Sequence, residues 1–357
     1  MPATDRGDNY ISDLYRVVIE TSDGQKRSVI VKCLPTAEYN LKFIRDACLF
    51  EKEILFYGET LQEMSDLLKI DNEPSITPKC LYIRDDSVLV FEDLLTLGYK
   101  IVDRRSGLDM EHCTWALKAL ARLHALSVSL PSEVLACKYP DTVYSGRDRA
   151  HAVNYIANSI ELLAAKVEKW SGFERFGSKL REIAPGANDR IINLFECPSS
   201  FRVLNHGDVW VNNMMFRYDE NKKVTGIKLL DFQMCRFVSP AFDLHYFFST
   251  SLAENIRLYN LEQLVKEYHR EFCRYVGLLG KAPVLTLDEL KAELDKNAFF
   301  GLISACLMLP VVLSDPEDTP DLGTITTRET ELECHSGFHF QHQFKNILLY
   351  FEEKGII

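Results

Sequence analysis

No stretch of this 357-residue chain stays apolar for the roughly 20 residues that a membrane-spanning helix needs, so no membrane span is expected. The opening residues, MPATDRGDNY, lack the apolar core of a secretory leader, and the expected location is cytoplasmic. Positive charge is also short: 41 Lys and Arg stand against 52 Asp and Glu, giving a formal net charge of -11. That balance argues against a broad basic face for nucleic acid or anionic lipid, and neither is an expected partner. The ten cysteines, at 33, 48, 80, 113, 137, 197, 235, 273, 306 and 334, form no close pair. Reduced, mostly buried thiols fit this scatter better than a disulfide frame or a zinc site. Internal repeats and low-complexity tracts are missing too, and nothing in the chain states an oligomeric order.

What is there concentrates between Val203 and Phe248. His206-Gly207-Asp208 is followed five residues after the Asp by Asn213, and Asp231 opens an Asp-Phe-Gln triplet. Between Asn213 and Asp231 apolar and polar residues alternate around Asp219-Glu220-Asn221-Lys222, the pattern of a β-hairpin. The ends of a hairpin lie side by side, so an amide oxygen and a carboxylate would face one small volume, with Asp208 one loop away. This is the kinase layout: one Asp orients the attacking hydroxyl and takes its proton, while an Asn and a second Asp hold Mg²⁺ on the triphosphate. Asp208 is therefore the expected catalytic base, and Asn213 and Asp231 the expected metal ligands. Asn and Asp also favour turns for purely local reasons; the full set, in this order and with apolar strands between, favours the functional reading.

The N-terminal third supplies a nucleotide side. Runs from Leu14 to Glu20 and from Arg27 to Leu34 flank a turn at Ser22-Asp23-Gly24-Gln25 and read as a hairpin. The Gly7-Asp8-Asn9-Tyr10 segment before it is a candidate phosphate loop, because Gly lets backbone N–H groups come close to phosphate; a flexible chain start is the competing reading. Lys32 closes Val29-Ile30-Val31 as an ATP-binding lysine closes its strand. A helical period from Arg45 to about Leu68 carries Glu53, the expected partner of Lys32, with Glu51 as its competitor. A second hairpin, Lys79–Arg84 with Ser87–Phe91, runs into Glu92-Asp93-Leu94-Leu95, the expected hinge whose main chain at Glu92 and Leu94 would bond adenine. The lobe boundary is expected near Leu95, giving a nucleotide-binding lobe over residues 1–95. Residues 96–357 would then hold the catalytic loop, the metal site and the acceptor pocket.

The remainder reads as helices. Asp109–Ser129 shows a stripe of Trp115, Leu117, Leu120, Leu123 and Leu126, with His124 inside it as a satisfied core residue. Further patterns cover about Arg149–Trp170, Phe173–Phe195, Leu261–Leu279, Thr286–Leu313 and Glu329–Glu353, with Asp315–Leu322 as an acidic loop. Tyr144, Tyr155, Trp170 and Phe173 are candidate acceptor contacts for which plain core is the favoured role. Asp243, near the start of a helix after Pro240, would cap it or brace the catalytic loop. Cys334, His335, His339 and His342 cluster, but at no established zinc spacing.

Taken together, GDNY at Gly7, VKCLP around Lys32, EILFY from Glu53, LVFEDL from Leu89, HGDVWVNN from His206, LLDFQ ending at Gln233 and SPAFDLHYF from Ser239 resemble the ecdysteroid kinase-like family. That family lies within the choline kinase and aminoglycoside phosphotransferase branch of the protein-kinase-like fold. The resemblance implies an α+β, bilobal fold, with a small antiparallel-sheet N-lobe carrying one helix and a larger, mostly helical C-lobe. It implies ATP and Mg²⁺ as cofactors and a small-molecule alcohol, in the best-known case a steroid hormone, as acceptor. A choline or ethanolamine kinase and a catalytically idle binding protein are the alternatives. More chain, including a first strand, is expected before the phosphate loop, and the short start would reduce ATP affinity. Gly207 in place of the Arg of His-Arg-Asp, Trp210 where protein kinases carry Lys, and the lack of Ala-Pro-Glu argue against a protein kinase.

Overall fold

The computed structural model describes residues 12–314 and 338–357, apart from 21, 23, 36–37, 69–72, 85–86, 145–148, 198 and 200. Its first feature is the predicted hairpin, β1 (Asp13–Glu20) against β2 (Lys26–Cys33), turning through Gly24 at φ 79°. A side chain rarely adopts that left-handed conformation without strain, so glycine suits the turn. The second predicted hairpin, β3 (Cys80–Arg84) with β4 (Val88–Glu92), completes an antiparallel sheet of order β1-β2-β4-β3. Leu89 and Phe91 of β4 are buried.

The helical period read over Arg45–Leu68 divides in the structure. Helix α1 (Glu38–Asp46) ends before Cys48, which takes a left-handed φ of 51° and so breaks the regular hydrogen-bond ladder; α2 (Leu49–Leu55) starts from there. At Phe56–Thr60 the helix widens into one π turn, closed by the N–H of Leu61 on the carbonyl of Phe56, before α3 (Leu61–Leu68) resumes. The small lobe thus carries two helical pieces where one helix was expected. Periodicity alone did not expose the break, because apolar residues sit on both sides of it and Cys48 is not a turn residue by type.

A helical body lies beyond the sheet. Helix α4 (Met110–Ser127) is capped by Asp109, whose carboxylate accepts the N–H of His112 at 3.0 Å. Leu117, Leu120, Leu123 and Leu126 are buried as the stripe predicted, whereas Trp115 is half-buried with the Lys118 ammonium 5.3 Å over its ring. Four helices follow: α5 (Ser132–Lys138), α6 (Arg149–Val167), α7 (Glu174–Ile183) and α8 (Ala187–Glu196). Strand β5 (Tyr99–Lys100) pairs with β7 (Met214–Tyr218), and β7 with β8 (Val224–Leu229), while β6 (Val203–Asn205) pairs with β9 (Arg236–Val238). The β7–β8 turn is built around Asp219, whose carboxylate accepts the N–H groups of Asn221 and Lys223 at 2.9 Å each.

Helices α9 (Ala241–Thr250), α10 (Glu254–Tyr259), α11 (Leu261–Leu278), α12 (Leu287–Leu313) and α13 (Phe338–Glu353) complete the body. The last was expected to start at Glu329; residues 315–337, including the acidic loop, Cys334 and His335, lie outside the described residues. Helix α12 starts on a capping box between Thr286 and Glu289, as sequence placed it. Among the described residues it is the helix long and apolar enough to cross a membrane, yet 72% of its apolar window is buried against the rest of the protein. It is a core helix, packed on α9 and α13.

The connection Glu73–Thr77, next to the expected chain break at Pro74–Pro78, clamps sheet to body. Arg122 donates to the carbonyl of Pro74 at 2.6 Å, and Lys228 to those of Ser75 and Thr77 at 2.8 Å. A small antiparallel sheet with its helix thus stands on a larger helical body, with a cleft between them. This is the bilobal, protein-kinase-like α+β arrangement that the resemblance implied.

Candidate active site

Eight residues, 206–213, the last three a 3-10 turn, carry Asp208 between β6 and the start of β7, and the conformation of this loop is fixed from below by Asp243. That carboxylate, 1% exposed, accepts the backbone N–H of His206 at 2.6 Å and of Gly207 at 2.8 Å, and meets His124 Nε2 at 3.1 Å. Burial pushes its pKa up, but the hydrogen bond and charge of His124 and the loop N–H groups outweigh this and hold it below the usual carboxylate range. The bracing role is the one realised, and His124 is a satisfied core residue, its Nδ1 lying 2.7 Å from the Tyr268 hydroxyl. His206 in turn places Nε2 2.8 Å from the carbonyl of Leu230 and receives the N–H of Asp208 on Nδ1 at 3.3 Å. It therefore ties the loop to the strand end that bears Asp231.

Gly207 has no substitute in this loop. Its φ is 86°, and a Cβ there would lie 2.0 Å from the carbonyl oxygen of Met234. Gly207→Ala is expected to cost about 1–3 kcal/mol through backbone conformation alone, with the collision in addition. Chemical denaturation would register the loss, and a variant as stable as wild type would show that the loop can relax.

The hairpin performs as its ends predicted. Met214 faces Leu229, and the N–H of Leu230 reaches the carbonyl of Asn213 at 2.9 Å, which sets Asn213 beside Asp231. Asn213 donates Nδ2 to the Asp208 carbonyl at 2.8 Å and to its carboxylate Oδ2 at 2.9 Å. With the amide hydrogens so committed, the amide oxygen is the atom left for a hard cation. Asp231 takes a left-handed φ of 66°, and its two oxygens meet Lys32 Nζ at 2.6 Å and Gln233 Nε2 at 3.0 Å.

Lys32 also pairs with Glu53 Oε2, and Glu53, not Glu51, is the buried acid of α2. Burial works against the charge on Lys32, but Asp231 and Glu53 overcome it, so the lysine stays protonated with its pKa raised. Burial, assisted by the charge of Asp231, lifts Glu53 to about 7 against the pull of Lys32. Asp208 is lifted to about 6, first by burial and then by Asp231, while hydrogen bonds from Tyr246 and Asn213 oppose the rise. The Tyr246 hydroxyl donates to Asp208 Oδ1 at 2.6 Å. Tyr246 escaped the sequence reading, although its position three residues after Asp243 puts both on one helix face.

The cleft between sheet and body has an empty volume of about 910 Å³ with its open mouth included. Leu14 and Ile30 line it from the sheet, and Met215 and Leu230 from the body, with Phe91 and Leu94 also on its wall. Flat apolar walls of this kind suit a planar ring. Lys32, Glu53, Asn213 and Asp231 form the polar part of the lining, and Glu92, Asp93 and Leu94 contribute the connecting strand. The Glu92 side chain accepts the N–H of Lys79 at 2.8 Å, and the Glu92 N–H donates to the Lys79 carbonyl at 3.1 Å. Asp93 receives Arg16 Nε and Ser28 Oγ at 2.7 Å each and so fastens the connection to the sheet, a role that no local pattern foreshadows. Gly7 and Asn9 lie outside the described residues.

The remaining candidates separate. His339 contacts the carbonyl of Arg105 at 3.2 Å and His342 meets Glu254 at 3.1 Å, and no group of three metal-binding side chains forms among the described residues. Trp170 packs against Phe340 and Phe344, and Phe173 stacks on Phe176, so both belong to the core; Tyr155 is partly buried against it. Tyr144 lies within reach of the charge of Asp208.

For Mg²⁺ the donors present fit. An amide oxygen and a carboxylate are hard ligands at one cleft wall, and Mg²⁺ takes one or two such groups and completes its shell from phosphate and water.

Comparison with known proteins gives one family and several distant structures. An ethanolamine kinase of Plasmodium vivax is 14% identical, with a TM-score of 0.48, over 96% of this chain and 83% of that one. A microcompartment-associated aminopropanol kinase is 13% identical, with a TM-score of 0.47, over 96% and 94%. The choline kinase LicA of Streptococcus pneumoniae is 12% identical, with a TM-score of 0.38, over 94% and 89%. No curated protein matches. Residues 6–281, which include the loop, the hairpin and the cleft, match the ecdysteroid kinase-like family, and the chain belongs to that family.

Proposed function

We propose that the protein transfers the γ-phosphoryl group of ATP to a hydroxyl of a small molecule, with a steroid-like alcohol as the preferred class. One observation supports this above the rest. Lys32 pairs with Asp231 at the wall of an apolar cleft, the bond from the Leu230 N–H to the Asn213 carbonyl sets Asn213 beside Asp231, and Asn213 donates to the half-buried Asp208 carboxylate. That order of groups is what in-line phosphoryl transfer requires.

In this reading the apolar walls receive adenine, and the main chain at Glu92 and Leu94 bonds its edge. Lys32, kept protonated and aimed by Glu53, anchors the phosphates. Asn213 and Asp231 hold Mg²⁺, which when bound screens the charge on the phosphate oxygens. Asp208 accepts the hydrogen bond of the incoming hydroxyl, aligns it with the phosphorus and takes its proton, while Tyr246 and Asn213 keep the carboxylate from rotating. Burial, by raising its proton affinity toward about 6, makes Asp208 a better base than a solvated carboxylate.

Mg-ATP at about 100 times its dissociation constant is expected to stabilise the fold by about 2.7 kcal/mol, read as a thermal shift that disappears when Mg²⁺ is chelated. Incubation with labelled ATP and a tissue extract fractionated by polarity should place label in apolar fractions. Label in polar amine fractions would favour a choline-like acceptor, and stabilisation with no transfer at all would favour a binding protein that has kept the fold.

A further inference from the structure

We propose that Arg236 is a charge filter beside Asp208. Its guanidinium covers the aromatic faces that a cationic acceptor would need, so the acceptor is an uncharged or anionic alcohol and not a quaternary ammonium. The inference rests on the phosphotransferase reading and assigns a residue to its choice of acceptor.

Recognition of an ammonium group requires open aromatic faces, and in water-poor surroundings such contacts are among the stronger ones a cation makes. The aromatic group adjoining the base consists of Tyr144, Phe195, Phe242 and Phe300, with ring centroids 4.6–6.4 Å apart. Arg236 already occupies it: its guanidinium carbon lies 5.3 Å from the Tyr144 centroid and 5.1 Å from that of Phe195. The residue is 2% exposed. The protein's own cation thus sits where a substrate cation would.

Position relative to the base follows from Tyr246, which contacts Asp208 at 2.6 Å. Arg236 pairs with Asn205, three residues before Asp208, in the β6–β9 ladder, and its charge acts on Asp208, on Tyr246 and on Tyr144. A second cation adjoins them. Lys52, also buried, donates to the carbonyl of Pro140 at 2.7 Å, and burial together with the charge of Arg236 lowers its pKa to about 8 against the opposing charge of Asp141. An incoming ammonium would meet the repulsion of both cations.

The same arrangement favours oxygen. Arg236 Nε makes one long contact, 3.4 Å, to the carbonyl of Met234, and its Nη1 is buried with no hydrogen-bond partner among the described residues. A buried donor without a partner is costly, and an acceptor bearing a hydroxyl, carbonyl or anionic oxygen removes that cost on binding.

The test compares choline with its uncharged isostere, in which carbon replaces the ammonium nitrogen, by calorimetric titration of the full chain with a non-hydrolysable Mg-nucleotide. Wild type should bind choline at least about 100-fold more weakly than the isostere, the scale set by like-charge contact. Arg236→Ala, which vacates a space of ammonium size, should gain choline binding, and Arg236→Lys should stay closed. If the alanine variant does not fold, Arg236→Gln is titrated in its place. Choline binding by wild type as tight as that of the isostere overturns the proposal, and so does a folded, uncharged variant that still excludes choline. Mg-dependent phosphate release from ATP is followed on the same samples. Its absence would remove the phosphotransferase reading, while the titrations still decide whether Arg236 excludes cations.

Discussion

Asp208→Ala is expected to lower phosphotransfer by about two to four orders of magnitude, the range that a positioned general base contributes. Nucleotide affinity should hold, because Asp208 is not among the residues lining the cleft, whereas Lys32, Asn213 and Asp231 are. In kinetic terms kcat falls and KM for ATP does not, the signature of an interaction made chiefly in the transition state. Stability will not be untouched. The Tyr246 hydroxyl loses its acceptor, at about 1–3 kcal/mol for a buried group left without a partner, whereas the Asn213 amide keeps the Asp208 carbonyl and loses one bond of two. Asp208→Asn is the cleaner companion, since it keeps an oxygen for Tyr246 while removing the base. Steady-state rates beside a nucleotide titration check both variants, and wild-type turnover in either would remove Asp208 from the reaction.

Asp243→Ala should be the most damaging single change to the fold. One carboxylate oxygen pair holds two backbone N–H groups of the catalytic loop and an imidazole, all buried, and alanine leaves every one of them without an acceptor. A loss of about 3–5 kcal/mol in unfolding free energy is expected, as for other buried charged groups deprived of a partner. Urea or guanidinium unfolding, followed by two independent probes, measures it; a loss under about 1 kcal/mol would mean that water or a rearranged loop replaces the carboxylate. The pH dependence has a definite sign. Asp243 is held below the ordinary carboxylate range, so its stabilisation is full at neutral pH and above the unfolded value and is lost as acid titrates through the depressed one. The gap between wild type and Asp243→Asn should therefore narrow in acid and stay constant near neutrality.

These two acids differ in how visible they are in the chain. Asp208 belongs to a spaced motif whose chemistry dictates the residue types, and the spacing survives in any sequence that keeps the chemistry. Asp243 could have been read as an ordinary helix cap; its true partners, at 124, 206 and 207, are distant in sequence or are backbone groups with no letter of their own. Tyr246 falls between, since helical periodicity from Asp243 could have pointed to it. Arg236 had no such clue. A basic residue after an Asp-Phe-Gln triplet carries no pattern, and only the packing of Tyr144 and Phe195, from elsewhere in the chain, gives it a role.

The sequence by itself determined the hairpins, the capped helices, the order of Lys32, Glu53, Asp208, Asn213 and Asp231, and the family. Those features are local or periodic, and alternation, cap residues and motif spacing record them directly. Tertiary structure alone decided where α1 ends and α2 begins, that Asp231 also meets Lys32, that Asp93 fastens the hinge to the sheet, and that a buried guanidinium stands beside the base. Each of these depends on groups far apart in the chain arriving at one place, and the free energy that brings them together is burial of a shared core, which no short stretch of residues expresses.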